Sequence, residues 1–215
     1  MNTDLGSYRE SYEKQELLEN NVSDNPLEVF QKWFHEVDGN FDVGETNAMT
    51  LSTLGLDGFP KSRVVLLKKF TYEGFIFYTN YESEKGKAIA NNPNVCISFF
   101  WPAAERQVII KGKAERIAGK MSDGYFESRP RGSQLGALVS NQSKEIDNRE
   151  VLEDRLKELE NELEGQEIKR PEFWGGFIVK PVEIEFWQGR PNRLHDRLRY
   201  QLDKEFNWNL DRLSP

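Results

Sequence analysis

The residues best equipped for chemistry crowd into the stretch Glu185–Arg197, EFWQGRPNRLHDR, which holds aromatic side chains, three arginines and one of the two histidines of the chain. The alternation predicts a strand on which Arg193, His195 and Arg197 share one face. Neighbours on such a face stand roughly 6–7 Å apart. Two guanidiniums flanking an imidazole suit an anionic ligand carrying phosphate or carboxylate, since arginine offers fixed paired donors and histidine donates or accepts near neutral pH. The competing reading is an edge strand carrying solvated charge.

Further sets lie upstream. Arg63 and Lys68 bracket the apolar run Val64–Leu67, which reads as a buried strand. A buried cation needs an anion or a partner, whereas cations at strand ends in water need neither. Residues five apart on a regular strand face opposite ways, so one ligand meets both only at a bulge or a strand end. Tyr78 and Thr79 end the next strand and Lys85 opens a short helix, so a hydroxyl and an amine near a helix start suit phosphate. Gln107 interrupts an apolar strand, where its amide needs partners. Tyr125, Arg129 and Ser133 recur at four-residue steps around Pro130, a set fit for a phosphomonoester or, alternatively, an exposed turn with an ion-paired arginine. Trp187 on the residues alone reads first as a core aromatic. Arg9 and Tyr12, three apart, meet on one helical turn if residues 1–24 order at all; otherwise this polar stretch is a mobile tail.

The elements that must position these residues follow from periodicity. Asn25-Pro26 starts a helix whose Leu27, Phe30, Phe34 and Val37 face a core, with His35 on its polar side. Strands are predicted at 48–55, 61–70, 75–79, 95–101, 106–117, 176–186, 193–200 and 206–213, the earlier ones joined by short turns such as Asp57-Gly58. Helices are predicted at 83–91, 120–128 and 133–140, with a break at Arg129-Pro130-Arg131. Asn148 caps a last helix, on which Leu152, Leu156, Leu159 and Leu163 form an apolar stripe. Many short antiparallel strands favour a barrel or sandwich over a doubly wound sheet.

Composition sets the bounds. A chain of 215 residues with 12% aromatics is long enough for one domain with a sizeable core. A net charge of -7 argues against a general nucleic-acid binder. The lone Cys96 excludes an internal disulfide and fits a reducing compartment. No apolar run reaches membrane-spanning length and the N-terminus shows no signal-peptide core, so the expected location is cytoplasmic. There is no phosphate loop, no dinucleotide-binding glycine motif and no metal motif, so no metal site is expected.

Taken in order, RVVLLK (63–68), FYTN (77–80), ERQV (105–108), YFESRPRGSQLGALVSNQS (125–143), FWGGF (173–177) and EFWQGRPNRLHDR resemble the pyridoxamine 5'-phosphate oxidases, FMN enzymes that form pyridoxal 5'-phosphate. The resemblance runs over nearly the whole chain. It implies a β-rich α+β fold: an FMN-binding split β-barrel, antiparallel and Greek-key-like, with peripheral helices. It implies one FMN-binding domain over 25–215 and an N-terminal segment, 1–24, whose Arg9 and Tyr12 fold over the substrate as a lid. It further implies a homodimer with FMN at the subunit interface.

The implied reaction oxidises pyridoxamine or pyridoxine 5'-phosphate, with hydride passing from the substrate's C4' to flavin N5 and molecular oxygen then giving hydrogen peroxide. The implied cofactor set is Arg63, Lys68, Tyr78, Thr79, Lys85, Gln107, Gln142, Ser143, Trp187 and Arg197. The implied substrate set is Arg9, Tyr12, Lys68, Tyr125, Arg129 and Ser133, with Arg193 and His195 at the ring and the reacting side as the catalytic pair. One position departs from the family: Glu84 stands where an arginine is usual, placing a carboxylate near a phosphate site, with Lys85 or Lys87 left to compensate. Two other classes stay open: a split-barrel flavin oxidoreductase for another substrate, and a non-catalytic FMN or pyridoxal phosphate binder.

Overall fold

A computed structural model describes residues 4–8 and 10–215; Arg9, half of the expected lid pair, lies outside the described residues. The elements in chain order are α1 (Pro26–Asn40), β1 (Ala48–Leu54), β2 (Pro60–Leu66), β3 (Lys69–Thr71), β4 (Gly74–Asn80), α2 (Glu84–Asn91), β5 (Asn94–Trp101), β6 (Arg106–Arg116), α3 (Gly119–Glu127), α4 (Arg131–Val139), α5 (Glu150–Glu162), β7 (Trp174–Gln188), β8 (Asp196–Leu202) and β9 (Trp208–Arg212). The strands form one sheet in the order β2-β1-β5-β6-β7-β4-β3, with β8 paired to β7 and β9 to β8. The fifteen-residue β7 changes partner along its length. Its first part pairs antiparallel with β4, from Asn80↔Trp174 to Phe75↔Val179, and its last with β8, from Glu183↔Gln201 to Gln188↔Asp196.

The chain divides into two compact units. The first comprises residues up to Met49, Ile97–Lys111 and Pro181–Pro215. Here α1 starts as its sequence requires: the Asn25 side chain accepts from Leu27 N–H at 3.0 Å, and Pro26 takes the first helical position. Its apolar face buries Phe30, Trp33 and Val37. Phe30 meets Phe99 at 5.2 Å, while Trp33 stands edge-on to Phe186 at the same distance. Each such ring removes apolar area worth roughly 1.5–3 kcal/mol from water.

Residues of the N-terminal segment dock on this unit. Lys14 N–H donates to Glu105 and Leu17 N–H to Asp196, and the Leu17 side chain is buried. Arg212 ties the segment down by donating to Glu19, to Asp196 and to the Leu17 carbonyl.

The second unit comprises Thr50–Cys96 and Gly112–Lys180. Phe77 stacks on Phe177 at 5.7 Å in its core. A further cluster of Phe126, Leu135, Ile168 and Trp174 receives Leu156, Leu159 and Leu163 of the α5 stripe and the residue after it.

Two strand predictions need correction. The expected strand 61–70 is broken into β2 and β3, with Leu67 and Lys68 between them. Its apolar run is not buried either: Val64 is 68% exposed because β2 is the outermost strand of the sheet, and only Leu67 is covered. The expected strand 193–200 begins at Asp196, because Asn192 and Arg193 adopt left-handed backbone (φ 59° and 61°) that ends any extended run.

Candidate active site

In the second unit a cavity of about 660 Å3 is lined by four cations, Arg63, Lys68, Lys85 and Arg129, and by no carboxylate. Tyr78, Thr79, Tyr125, Ser133, Gln142 and Trp174 complete its polar and aromatic wall. The strand break resolves the facing problem of Arg63 and Lys68: the alternation ends with β2, and both side chains line the same space. Arg63 is oriented by bonds to Thr53 Oγ1 and the Lys61 carbonyl, both 2.7 Å. Burial lowers its pKa, opposed by the charge of Glu84.

Lys85 sits in the first turn of α2, a helix capped by Ser83, whose hydroxyl accepts from Gly86 N–H. Burial and the neighbouring Arg63 depress its pKa to about 8 against the pull of Glu84. Lys85 Nζ and Thr79 Oγ1 both donate to Gln142 Oε1, at 2.8 and 3.2 Å. Ser143, in left-handed backbone (φ 71°), accepts from Glu84 N–H. Arg129 falls in the gap between α3 and α4, beside the first turn of α4 where Ser133 lies. Its Nη1 is buried and has no hydrogen-bond partner among the described residues. Burial lowers its pKa as well. An unpaired guanidinium nitrogen, in a wall of cations and hydroxyls, is what a phosphate oxygen completes.

The first unit carries the second group. Arg193, His195 and Tyr12 line a cavity of about 470 Å3 together with Tyr8, Glu10, Ser11, Arg190 and Asn192. His195 lies against Trp187 at 4.6 Å between ring centres, and Tyr12 meets Trp187 edge-on at 5.8 Å. Trp187 is thus half-buried and presents a face to the histidine instead of filling the core. Arg190 N–H donates to His195 Nδ1 at 3.1 Å, so the neutral ring carries its proton on Nε2. Burial and the Arg193 charge lower the pKa of His195, with Asp196 opposing.

The expected shared face of Arg193, His195 and Arg197 does not form, because only Arg197 is on β8. Arg197 instead grips Glu185 with two bonds of 2.8 and 3.1 Å and donates to the Ser214 carbonyl. Gln107 is half-buried on β6. Among the described residues, no group of three His, Cys, Asp or Glu could hold a metal ion, and no helix is long and apolar enough to cross a membrane.

Three features escaped the reading of the residues. Glu84 pairs with Lys61, at 2.6 Å, a partner 23 residues upstream. Trp174 is a wall of the cationic cavity; the sequence shows it only as part of the FWGGF motif, with no role attached. Arg106 is buried yet fully engaged, bonding Gln188, Glu36 and Gln15 and lying over Trp33, so it fastens the N-terminal segment without lining either of these cavities.

Comparison with known proteins agrees with this geometry. The model for the pyridoxamine 5'-phosphate oxidase family matches residues 41–162, and that for the pyridoxine 5'-phosphate oxidase C-terminal dimerisation region matches 174–215. A pyridoxine/pyridoxamine 5'-phosphate oxidase of Flavobacterium psychrophilum is 65% identical, covering 99% of each chain. One of Salinibacter ruber is 48% identical over 98% of this chain and 99% of its own. Among solved structures, PhzG from Burkholderia lata, in complex with tetrahydrophenazine-1-carboxylic acid, superposes with a TM-score of 0.86 at 28% identity, covering 93% of this chain and 98% of its own. A pyridoxamine 5'-phosphate oxidase-related FMN binding protein from Nostoc punctiforme gives a TM-score of 0.69 at 15% identity, covering 94% and 100%, a likeness of fold. The fold is the split β-barrel of these proteins, and the chain belongs to the pyridoxamine 5'-phosphate oxidase family.

Proposed function

We propose that this protein oxidises pyridoxamine 5'-phosphate or pyridoxine 5'-phosphate to pyridoxal 5'-phosphate, with FMN as cofactor, molecular oxygen as acceptor and hydrogen peroxide as product, the amine substrate also taking up water and releasing ammonia. The observation that carries the reading is the carboxylate-free cavity of four cations with the unpaired Arg129 Nη1, since cofactor and substrate both carry phosphate. The named activity of relatives up to 65% identical supports it.

FMN, when bound, supplies the two-electron acceptor. Arg63, Lys68, Tyr78, Thr79, Lys85, Gln107, Gln142, Ser143, Trp187 and Arg197 are assigned to hold it, Arg197 being fixed by Glu185. Lys68, Tyr125, Arg129 and Ser133 take the substrate phosphate, and Tyr12 covers the substrate together with the segment that bears it. Arg193 and His195 position the substrate's ring. Because Arg190 N–H occupies Nδ1, the neutral His195 offers a donor at Nε2, and its lowered pKa favours that neutral form.

The working form is a homodimer with FMN at the subunit interface. The matched dimerisation region supports this, as do the exposed Leu56, Phe59 and Val64 on and around the β1–β2 turn, apolar surface that a second chain would cover. A cytoplasmic location belongs to the same proposal and rests on the lone cysteine.

The test adds pyridoxamine 5'-phosphate to FMN-loaded protein without oxygen and then admits oxygen. Bleaching of the flavin, recovery, and formation of pyridoxal 5'-phosphate and peroxide are expected. Arg193→Ala and His195→Ala should each slow turnover by about 10²-fold or more. Bound FMN that never bleaches would refute the substrate assignment, and unchanged turnover in both variants would refute the catalytic pair.

A further inference from the structure

Four side chains of the second unit form one contiguous cluster, in which Trp174 lies beside the stacked pair Tyr78 and Tyr125, 6.2 Å from the latter. Tyr125 lies on Tyr78 with ring centres 3.9 Å apart, Tyr78 is nearly parallel to Trp174 at 5.5 Å and 11°, and the Arg129 guanidinium lies over Trp174 at 4.7 Å from its ring centre. All four line the cationic cavity. Trp174 is buried and its backbone is held from several sides. It pairs with Asn80 on β4, its N–H donates to the Pro171 carbonyl, and its own carbonyl accepts from Arg170 Nη1 at 2.6 Å. Arg170 in turn pairs with Asp123 of α3 at 2.6 Å.

Arg129 has the opposite character. No carboxylate pairs with it among the described residues, and Nη1 is left without a partner. Two ring faces orient this half-buried cation: that of Trp174 at 4.7 Å and, farther off, that of Phe126 at 5.7 Å, so the indole is the nearer of the two.

We propose that Trp174 is a positioning residue for the substrate's phosphate: it fixes the plane of the Arg129 guanidinium, so that Nη1 is aimed before the phosphate arrives. This rests on the assignment of Arg129 to the substrate phosphate. Pre-orientation of this kind lowers the ordering cost of binding, so it acts on KM more than on kcat.

The test is a double-mutant cycle on the FMN-loaded enzyme, with KM and kcat for pyridoxamine 5'-phosphate and the Kd for FMN read on every variant. Trp174→Leu should raise KM about tenfold, equal to about 1.4 kcal/mol. Trp174→Phe, which keeps a smaller aromatic face, should raise it only about threefold. In both, kcat and the FMN Kd change much less than KM. In an Arg129→Gln background neither tryptophan change should raise KM further. Equal KM increments with and without Arg129, or an unchanged KM in the tryptophan variants, would overturn the proposal. If Trp174→Leu does not fold, the Phe variant completes the same cycle. If Arg129→Gln alone leaves KM unchanged, the assignment of Arg129 to the phosphate fails, and that result is separate from any failure of the tryptophan's role.

Discussion

Lys85 shows how a single side chain sets a pH response. Its pKa is held near 8 by burial and by Arg63, so its charge is present below that pH and lost above it. A phosphate selects the charged form. Affinity for FMN should therefore fall as pH rises through about 8, by up to about tenfold per unit, and fluorescence titration of FMN across pH 7–9.5 measures it. Lys85→Met should bind more weakly at pH 7 and lose the slope. The cofactor-free protein carries the opposite sign. The unfolded chain holds this proton up to about 10.5, so the contribution of Lys85 to stability rises as pH climbs from about 8 to 10.5. His195 is the contrasting case. Its type and neighbours were legible in the sequence, but its tautomer was not, because that depends on a backbone N–H five residues upstream.

At the scale of elements, α2 depends on one glycine. A Cβ on Gly86 would lie 2.2 Å from the Tyr81 carbonyl oxygen and 2.5 Å from its carbon, both rigid backbone. Gly86→Ala should push the first turn of α2 away, cost roughly 1–3 kcal/mol, and weaken FMN binding by moving Lys85. A thermal melt and an FMN titration on the same sample separate the two effects. Most elements were legible from periodicity: the capped start of α1, the α5 stripe and the paired strands follow from which residues must be covered. The misreadings have one physical origin. A run such as Val64–Leu67 looks buried because apolar residues usually are, yet β2 is an edge strand and leaves Val64 exposed. The corner at Asn192 and Arg193 was hidden because neither residue is glycine, although both adopt the backbone that favours it. Trp174 was hidden for another reason: its role depends on what lies over its ring, and periodicity does not report that.

For the whole molecule, the apolar surface near β2 has a direct test. Phe59 is 73% exposed and Val64 68%, with Leu56 close to them at 66%. Replacing Phe59 and Val64 by Asp should shift the protein from dimer to monomer in sedimentation and weaken FMN binding with it, whereas the fold of each chain should persist. A dimer that survives both changes would place the interface elsewhere. The cavity of four cations has a consequence at the bench. No carboxylate lines it, and Arg63 repels Lys85 with only partial relief from the charge of Glu84, so the wall gains when an anion joins it. Any small dianion in the buffer answers that need. Inorganic phosphate at a hundred times its Kd would stabilise the protein by about 2.7 kcal/mol, enough to raise the melting temperature by about 5–10 °C. A melting screen run in phosphate would then report a loaded protein where only a buffer ion is bound, and reconstitution with FMN would begin with a competition. Cofactor loading of this enzyme is read cleanly only in a buffer without such anions.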